Sequence, residues 1–148
     1  MRLPDRIEPG LVLKYSYLWA EAAQDGRDEG SKDRPAVVVL AREMVADTLI
    51  VTVAAITHSP PRGTQDSVRL SDVVKARLGL DADASWVVTD ELNSFVWPGH
   101  DLRPLGPRYA EKADDCYFGY VPNSVLQAVI RSIARNSDLR RMQAVKRS

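Results

Sequence analysis

Two runs of apolar residues limit what this chain can fold into more than any other feature. Residues 36–40 read Ala-Val-Val-Val-Leu, and residues 49–56 hold seven apolar side chains and one threonine. Short runs rich in Val and Ile are typical of β-strands, and a strand that is apolar at every position is apolar on both faces. Each strand therefore needs a second cover, such as a helix, a curled sheet or a partner subunit. The pattern predicts a closed barrel and favours a dimer.

The remaining apolar segments extend this mainly-β pattern. Strands are predicted at residues 10–19, 36–41, 48–56, 67–70, 86–92, 101–105 and 117–121. Residues 71–78 predict a short connecting helix that ends at Gly79, and the apolar positions 125, 126, 129, 130 and 133 predict a C-terminal helix. The polar segment 20–33 is long enough for a functional loop, and residues 136–148 are expected to fray.

Composition favours one cytoplasmic domain without a metal. The 148 residues are 45% hydrophobic, which is enough for one core. Cys116 is the sole cysteine, and with only His58 and His100 there is no zinc-ligand spacing, so we expect a reducing compartment, no structural metal and no cofactor. Charges near the N-terminus argue against a signal peptide, and no run of about 18 apolar residues predicts a membrane span.

The formal net charge is zero, but the charges are unevenly spread. Among the first 30 residues, six acidic side chains outnumber four basic ones, whereas the C-terminal segment is basic. That segment holds Arg131, Arg135, Arg140, Arg141, Lys146 and Arg147. These side chains either contact phosphate or form a solvated helix face.

Four short motifs follow one another in a specific order. They are Pro9-Gly10 entering the first strand, Arg34-Pro35 opening an apolar strand, Ile56-Thr57 ending the next, and Asp90-Glu91 followed by Asn93-Ser94. Over about residues 7–135 this order resembles the PemK/MazF family of toxins. The resemblance implies a small SH3-like β-barrel with a C-terminal helix, spanning the chain as one domain. It also implies a metal-independent endoribonuclease that cuts single-stranded RNA, forms a homodimer and is silenced by an antitoxin protein.

The resemblance points to Arg34 and Thr57 as catalytic residues. Cleavage of RNA without a metal uses the neighbouring 2′-hydroxyl as nucleophile, so the protein must supply a base, an acid and a cation for the phosphate. A guanidinium and a threonine hydroxyl at adjacent strand ends would bind that phosphate. The alternative is structural: Arg34 pairs with a loop carboxylate such as Asp28 or Glu29, and Thr57 caps a turn.

Further candidates surround this pair. His58 follows Thr57 and changes charge near neutral pH, so it is a candidate acid or base. Because side chains alternate along a strand, His58 would face away from Thr57 unless the chain has already turned. Lys32 and Arg62 are candidate cations, and Trp19 is the aromatic residue expected to stack on a base. The other large aromatic residues, Trp86, Phe95 and Trp97, are expected in the core.

The fourth motif departs from the family pattern. Beside Asp90, the family's usual Gln is replaced by Glu91, and its usual Arg is replaced by Asn93. These changes remove one positive charge and add one negative charge, which weakens attraction to RNA. The alternative function is therefore a catalytically weak or inactive barrel that serves as an RNA-binding or protein-interaction module.

Overall fold

The computed structural model describes residues 1–21, 32–44, 47–61, 66–139 and 141–147. The mainly-β prediction is confirmed. The strands are β1 (Leu11–Tyr17), β2 (Lys32–Met44), β3 (Thr48–Thr57), β4 (Ser67–Arg69), β5 (Trp86–Val88), β6 (Glu91–Val96), β7 (Tyr117–Tyr120) and β8 (Gln143–Lys146). The α-helices that lie wholly within these ranges are α1 (Asp72–Leu78) and α2 (Asn123–Asp138), and a 3₁₀ helix covers Pro107–Lys112.

Strand β3 lies at the centre of one eight-stranded sheet formed by the described residues. One of its edges pairs antiparallel with β2, where Ala36 lies opposite Ala55. Its other edge pairs with β6 along the first half and with β5 at Ile56 and Thr57. The main path runs β4-β5-β3-β2-β1-β7, and β8 joins β6 in parallel. Strand pairing within these residues does not close the sheet on itself.

Both faces of the central strands are buried, as the apolar runs predict. On β3, Val51, Val53 and Ala55 belong to one core cluster, while Ala54 and Ile56 belong to a second cluster on the opposite face. The same alternation occurs in β1 and β2. Side chains of α1 and α2 cover the second cluster, so the chain supplies the second cover for this part of its own sheet.

The two predicted helices are present. Ser71 caps α1 by accepting a hydrogen bond from the Val74 backbone N–H at 3.2 Å, and Gly79 ends it with a φ of 72°. Val129 of α2 is fully buried against the second core cluster. Within the described ranges, no helix is long and apolar enough to cross a membrane.

Two predicted strands differ from the structure. Residues 101–105 form no strand, and only Leu102 makes an isolated bridge to Tyr15. The predicted strand 86–92 is divided into β5 and β6, and Thr89 lies between them. The Thr89 hydroxyl forms hydrogen bonds with Ser132 and Asn136 of α2.

The expectation that the C-terminal segment frays is wrong for its described residues. The helix continues to Asp138, and β8 then adds to the sheet edge at β6. Beyond β8 the Arg147 side chain is buried, donating to the Ser16 carbonyl at 3.1 Å and to Asp101 at 2.6 Å. This arginine therefore takes part in the fold and is not on a solvated face.

Asn93 of β6 is fully buried and ties that strand to the chain that follows β1. Its side-chain oxygen accepts a hydrogen bond from the Leu18 N–H at 3.0 Å, and its Nδ2 donates to the Leu18 carbonyl at 2.8 Å. Leu18 lies just beyond β1, where ladder bonds have ended. The side-chain amide replaces those bonds.

We expect Asn93→Ala to lower the free energy of unfolding by about 2–4 kcal/mol, because the buried N–H and carbonyl of Leu18 lose their partners. Urea denaturation followed by circular dichroism measures the change. Asn123→Ala is the matched control at an exposed position of α2 and should cost less than about 1 kcal/mol. Equal losses in the two variants would contradict the structural role of Asn93.

Candidate functional site

Arg34 and Thr57 meet where β2 begins and β3 ends. The antiparallel register that places Ala36 opposite Ala55 places Arg34 opposite Thr57 when it is continued by two residues. The side chains of both residues also line the same two clefts. The structure thus brings together the two residues that the sequence resemblance assigns to the phosphate.

The two clefts adjoin each other at this pair. The first, called the histidine cleft, has a volume of about 310 Å³ and is lined by residues that include Lys32, Arg34, Thr57, His58 and Asp81. The second, called the tryptophan cleft, has a volume of about 410 Å³ and is lined by residues that include Trp19, Arg34, Thr57, Trp86 and Glu91. Because Arg34 and Thr57 belong to both, they lie between the clefts.

Arg34 is a partly buried cation with no carboxylate partner among the described residues. Its guanidinium carbon lies 5.0 Å from the centre of the Trp19 ring, and its Nε is buried without a hydrogen-bond partner in that part of the chain. Burial lowers the pKa of Arg34, and the nearby Tyr17 opposes this effect. The side chain remains charged at neutral pH. Asp28 and Glu29, the alternative loop partners, lie outside the described residues.

The Thr57 hydroxyl already has one local interaction. It accepts a hydrogen bond from the Ser59 N–H at 3.2 Å, which is the turn-capping role considered as the alternative. A hydroxyl can accept and donate at the same time, so its proton is still free to donate to a phosphate oxygen. The turn at Ser59 therefore orients Thr57 and does not remove it from the site.

His58 lies in the histidine cleft because β3 ends at Thr57 and the chain bends immediately afterwards. Its Nε2 lies 3.0 Å from Oδ1 and 2.9 Å from Oδ2 of Asp81. Thr57 and His58 both line this cleft. The His58 side chain is 47% exposed, so it is both oriented and reachable from solvent.

Asp81 is itself held by two further hydrogen bonds. Its Oδ1 accepts hydrogen bonds from Nζ of the buried Lys75 and from the Asp83 N–H, each at 3.1 Å. Partial burial acts to raise the pKa of Asp81, but the Lys75 hydrogen bond and the His58 charge outweigh it, so the pKa is lowered. Asp81 is therefore a carboxylate at neutral pH.

Within the described ranges, His58, Asp81 and Asp83 form a group that could hold a metal ion. Their ligand atoms lie within 4.8 Å of one another, and all three residues are exposed. The ammonium of Lys75 already occupies Oδ1 of Asp81. A divalent cation at this position would have to compete with that bond.

Glu91 lies in the tryptophan cleft near Tyr17 and the Ala20 backbone. One of its carboxylate oxygens is buried without a hydrogen-bond partner in the described ranges. Burial, reinforced by the charge of Asp90, raises the pKa of Glu91 to about 7. At neutral pH the side chain thus carries only part of the negative charge that the sequence led us to expect.

Two indole rings line the tryptophan cleft. Trp19, the expected base-stacking residue, lies there, and so does Trp86, which pairs with Thr57 across β5 and β3. Phe95 is buried in the first core cluster and Trp97 packs against that cluster, as expected. Trp86 was also expected in the core but lines the cleft instead. The cleft therefore holds two aromatic surfaces rather than one.

The remaining candidate residues are more dispersed. Lys32 is exposed at the histidine cleft, and Asp90 lines the tryptophan cleft while its carbonyl accepts from the Gln143 N–H at 2.9 Å. Asn93 is buried against Leu18 and reaches neither cleft, and Arg62 lies outside the described residues. Sequence reasoning missed Asp81, Lys75 and Trp86, because no local motif marks them.

We expect Glu91→Gln to flatten the dependence of stability on pH. A folded-state pKa raised to about 7 means that ionising Glu91 destabilises the wild-type fold as pH rises from about 4.5 through 7. Gln has nothing to ionise, so at pH 8 the variant should be more stable than wild type by about 1–2 kcal/mol, allowing for solvent screening. Urea midpoints at pH 5 and pH 8 measure this. An equal difference between the two proteins at both pH values would contradict it.

No family model and no curated protein sequence matches this chain.

Proposed function

We propose that this protein is a toxin of the PemK/MazF type, a metal-independent endoribonuclease that cuts single-stranded RNA. A target of this kind places its action in the cytoplasm. The observation that carries the proposal is the position of Arg34 and Thr57 between two adjoining clefts. A phosphate bound at this pair would have one nucleotide on each side.

The electrostatics of Arg34 support phosphate binding. A partly buried guanidinium is less well hydrated than an exposed one, and no carboxylate among the described residues forms an ion pair with Arg34. An incoming phosphate would supply the missing anion and accept a charge-assisted hydrogen bond, which is stronger than a neutral one. Thr57 would donate its hydroxyl proton to the same phosphate.

The shape of the tryptophan cleft supports binding of a single strand. Nucleobases stack on aromatic side chains with about 1–3 kcal/mol per base, whatever their sequence. Trp19 and Trp86 both line the cleft next to Arg34. Duplex RNA keeps its bases stacked inside the helix, so these indoles favour an unpaired strand.

Apart from water, the proposed reaction needs no group from outside the protein and the RNA. The 2′-oxygen attacks phosphorus, the bond from phosphorus to the 5′-oxygen breaks, and the 2′-hydroxyl proton is removed while a proton is delivered to the 5′-oxygen. The products are a 2′,3′-cyclic phosphate and a 5′-hydroxyl. Arg34 stabilises the charge on the pentacoordinate phosphate. His58, which lines the same cleft as Arg34 and Thr57, is the group proposed to exchange a proton.

For the fold, we propose that the sheet is an incompletely closed SH3-like barrel. Strands β1, β2, β3 and β6 all contribute to the first core cluster, which indicates a sheet curved around that cluster. The helix α2 lies on the outside with the second cluster. This arrangement would make residues 1–148 a single domain.

We further propose a homodimer and a cognate antitoxin as protein partners. The dimer is supported by an apolar patch on β2, β3 and β6, where Leu40 is 50% and Val96 is 51% exposed. Leu40 and Val96 border a cleft of about 440 Å³ that Ile50 and Phe95 also line. The antitoxin rests on the family resemblance alone.

A non-catalytic RNA-binding or protein-interaction module is the second candidate function. Its specific support is Asn93, which stands where the family usually has an arginine and is occupied by the Leu18 backbone. The site therefore gains no second cation from this position. Such a protein would bind single-stranded RNA in the tryptophan cleft but leave it intact.

Purified protein is expected to cleave mixed-sequence single-stranded RNA in the presence of EDTA. Arg34→Ala should reduce kcat/KM by a few hundred-fold, about 3–4 kcal/mol, because the lost contact is strongest in the transition state. Thr57→Val should cost about 1–2 kcal/mol, as expected for a neutral hydrogen bond. Arg77→Ala, at an exposed arginine of α1, is the control and should retain activity.

Two outcomes would count against the catalytic assignment. Binding of RNA without cleavage would favour the non-catalytic module. An Arg34→Ala protein that melts early but cleaves normally per folded molecule would make Arg34 a structural anchor.

Sedimentation at micromolar concentration should show a dimer, and Leu40→Lys should convert it to a monomer because it places a charge in the apolar patch. Val73→Lys makes the same kind of change at an exposed position of α1 and should remain dimeric. A wild-type monomer at these concentrations would refute the proposed dimer.

A further inference from the structure

Three side chains from separate parts of the chain form a connected series at the histidine cleft. Lys75 comes from α1, Asp81 from the segment after α1, and His58 from the bend after β3. The Lys75 ammonium bonds Asp81, and Asp81 contacts His58 Nε2. The far end of this series lies in the same cleft as Arg34 and Thr57.

The hydrogen bond fixes which ring nitrogen of His58 carries the proton. Asp81 is ionised and can only accept, so His58 Nε2 must donate to it. Neutral His58 then has its lone pair on Nδ1. A general base needs such a lone pair.

The burial of Lys75 indicates that this arrangement is not incidental. An ammonium loses several kcal/mol when it is removed from water, and an apolar side chain would fit the second core cluster at lower cost. Lys75 is 2% exposed, and its Nζ bonds both Asp81 and the Asp83 carbonyl. An exposed His-Asp pair by itself would add little to stability. The buried charge instead fixes the direction of the Asp81 carboxylate.

We infer that Asp81 and Lys75 are positioning residues that hold His58 with Nδ1 as the general base of the proposed ribonuclease. The inference rests on the proposed function. His58 Nδ1 takes the proton from the 2′-hydroxyl as the 2′-oxygen bonds to phosphorus. The bond to the 5′-oxygen breaks, and that oxygen takes a proton from water. The imidazolium later returns its proton to solvent, so charge and protons balance.

The charged groups that face His58 come from three elements. Asp81 and Asp83 lie on the segment after α1, and Lys75 lies on α1. Lys32 and Arg34 lie on β2 across the cleft. Of these, Asp81 makes the direct contact.

The first experiment does not depend on activity. Long-range proton–nitrogen NMR of the His58 ring at pH 8 should show the Nε2-H form in wild type. In Asp81→Asn the two tautomers should mix, because a neutral amide can donate as well as accept. Asp83→Asn removes a neighbouring negative charge but leaves the hydrogen bonds of Asp81 in place, so it should keep the Nε2-H form. A predominant Nδ1-H form in wild type would overturn the inference.

The second experiment measures kcat and KM on single-stranded RNA. His58→Ala should reduce kcat/KM by about 10²-fold or more. Asp81→Asn and Lys75→Met should each reduce kcat by about 10- to 100-fold with little change in KM. A role in folding alone would lower the folded fraction and leave the tautomer of His58 as it is in wild type.

The outcomes separate this inference from the proposed function. If wild type cleaves no RNA, the proposed function falls and takes the base role with it, while the NMR result still decides whether Asp81 and Lys75 orient His58. If wild type cleaves RNA and His58→Ala is as active, the inference is overturned and the role of Arg34 and Thr57 stands.

Discussion

The burial of β3 on both faces and its pairing along both edges determine the rest of this structure. Toward the end of the strand one face meets the first core cluster and the other meets the second, and residues 53–56 are all apolar and buried. At this end of β3 polar side chains therefore begin only where the apolar pattern stops. Thr57 and His58 are the first such positions at one end, and Arg34 is the matching position on β2. The site lies where the core ends.

Local pattern was sufficient to predict most elements near this core. The runs at 36–40 and 49–56 predicted two strands, and the strands form the central pair. The 3.6-residue spacing after Pro122 predicted α2. The pairing of Arg34 with Thr57 was accessible as well, because an Arg-Pro that opens one strand and an Ile-Thr that ends its neighbour become adjacent in an antiparallel hairpin. Such inferences need only short-range pattern and one register.

Other features depend on contacts that no local pattern specifies. Residues 143–146 lie in a basic, mostly polar C-terminal segment that was expected to fray, yet they form β8 along the edge of β6. The side chain of Arg147, just beyond β8, is buried and bonds to Asp101. Asn93 looked like a lost cation, but its amide bonds Leu18, 75 residues away in the sequence. No sequence pattern marks Lys75 as a buried residue. Only the folded chain brings its ammonium into hydrogen-bond contact with Asp81.

The balance of charge near Arg34 follows from burial more than from sequence. The acidic pair Asp90 and Glu91 would by count oppose RNA, and the chain as a whole is neutral. Burial changes this count, because a carboxyl group that loses water holds its proton to higher pH, whereas an arginine keeps its charge. With the pKa of Glu91 at about 7, the tryptophan cleft becomes less negative as pH falls below neutrality, while Arg34 does not change. The field that the proposed phosphate would meet between the clefts is consequently more favourable than the residue count implies.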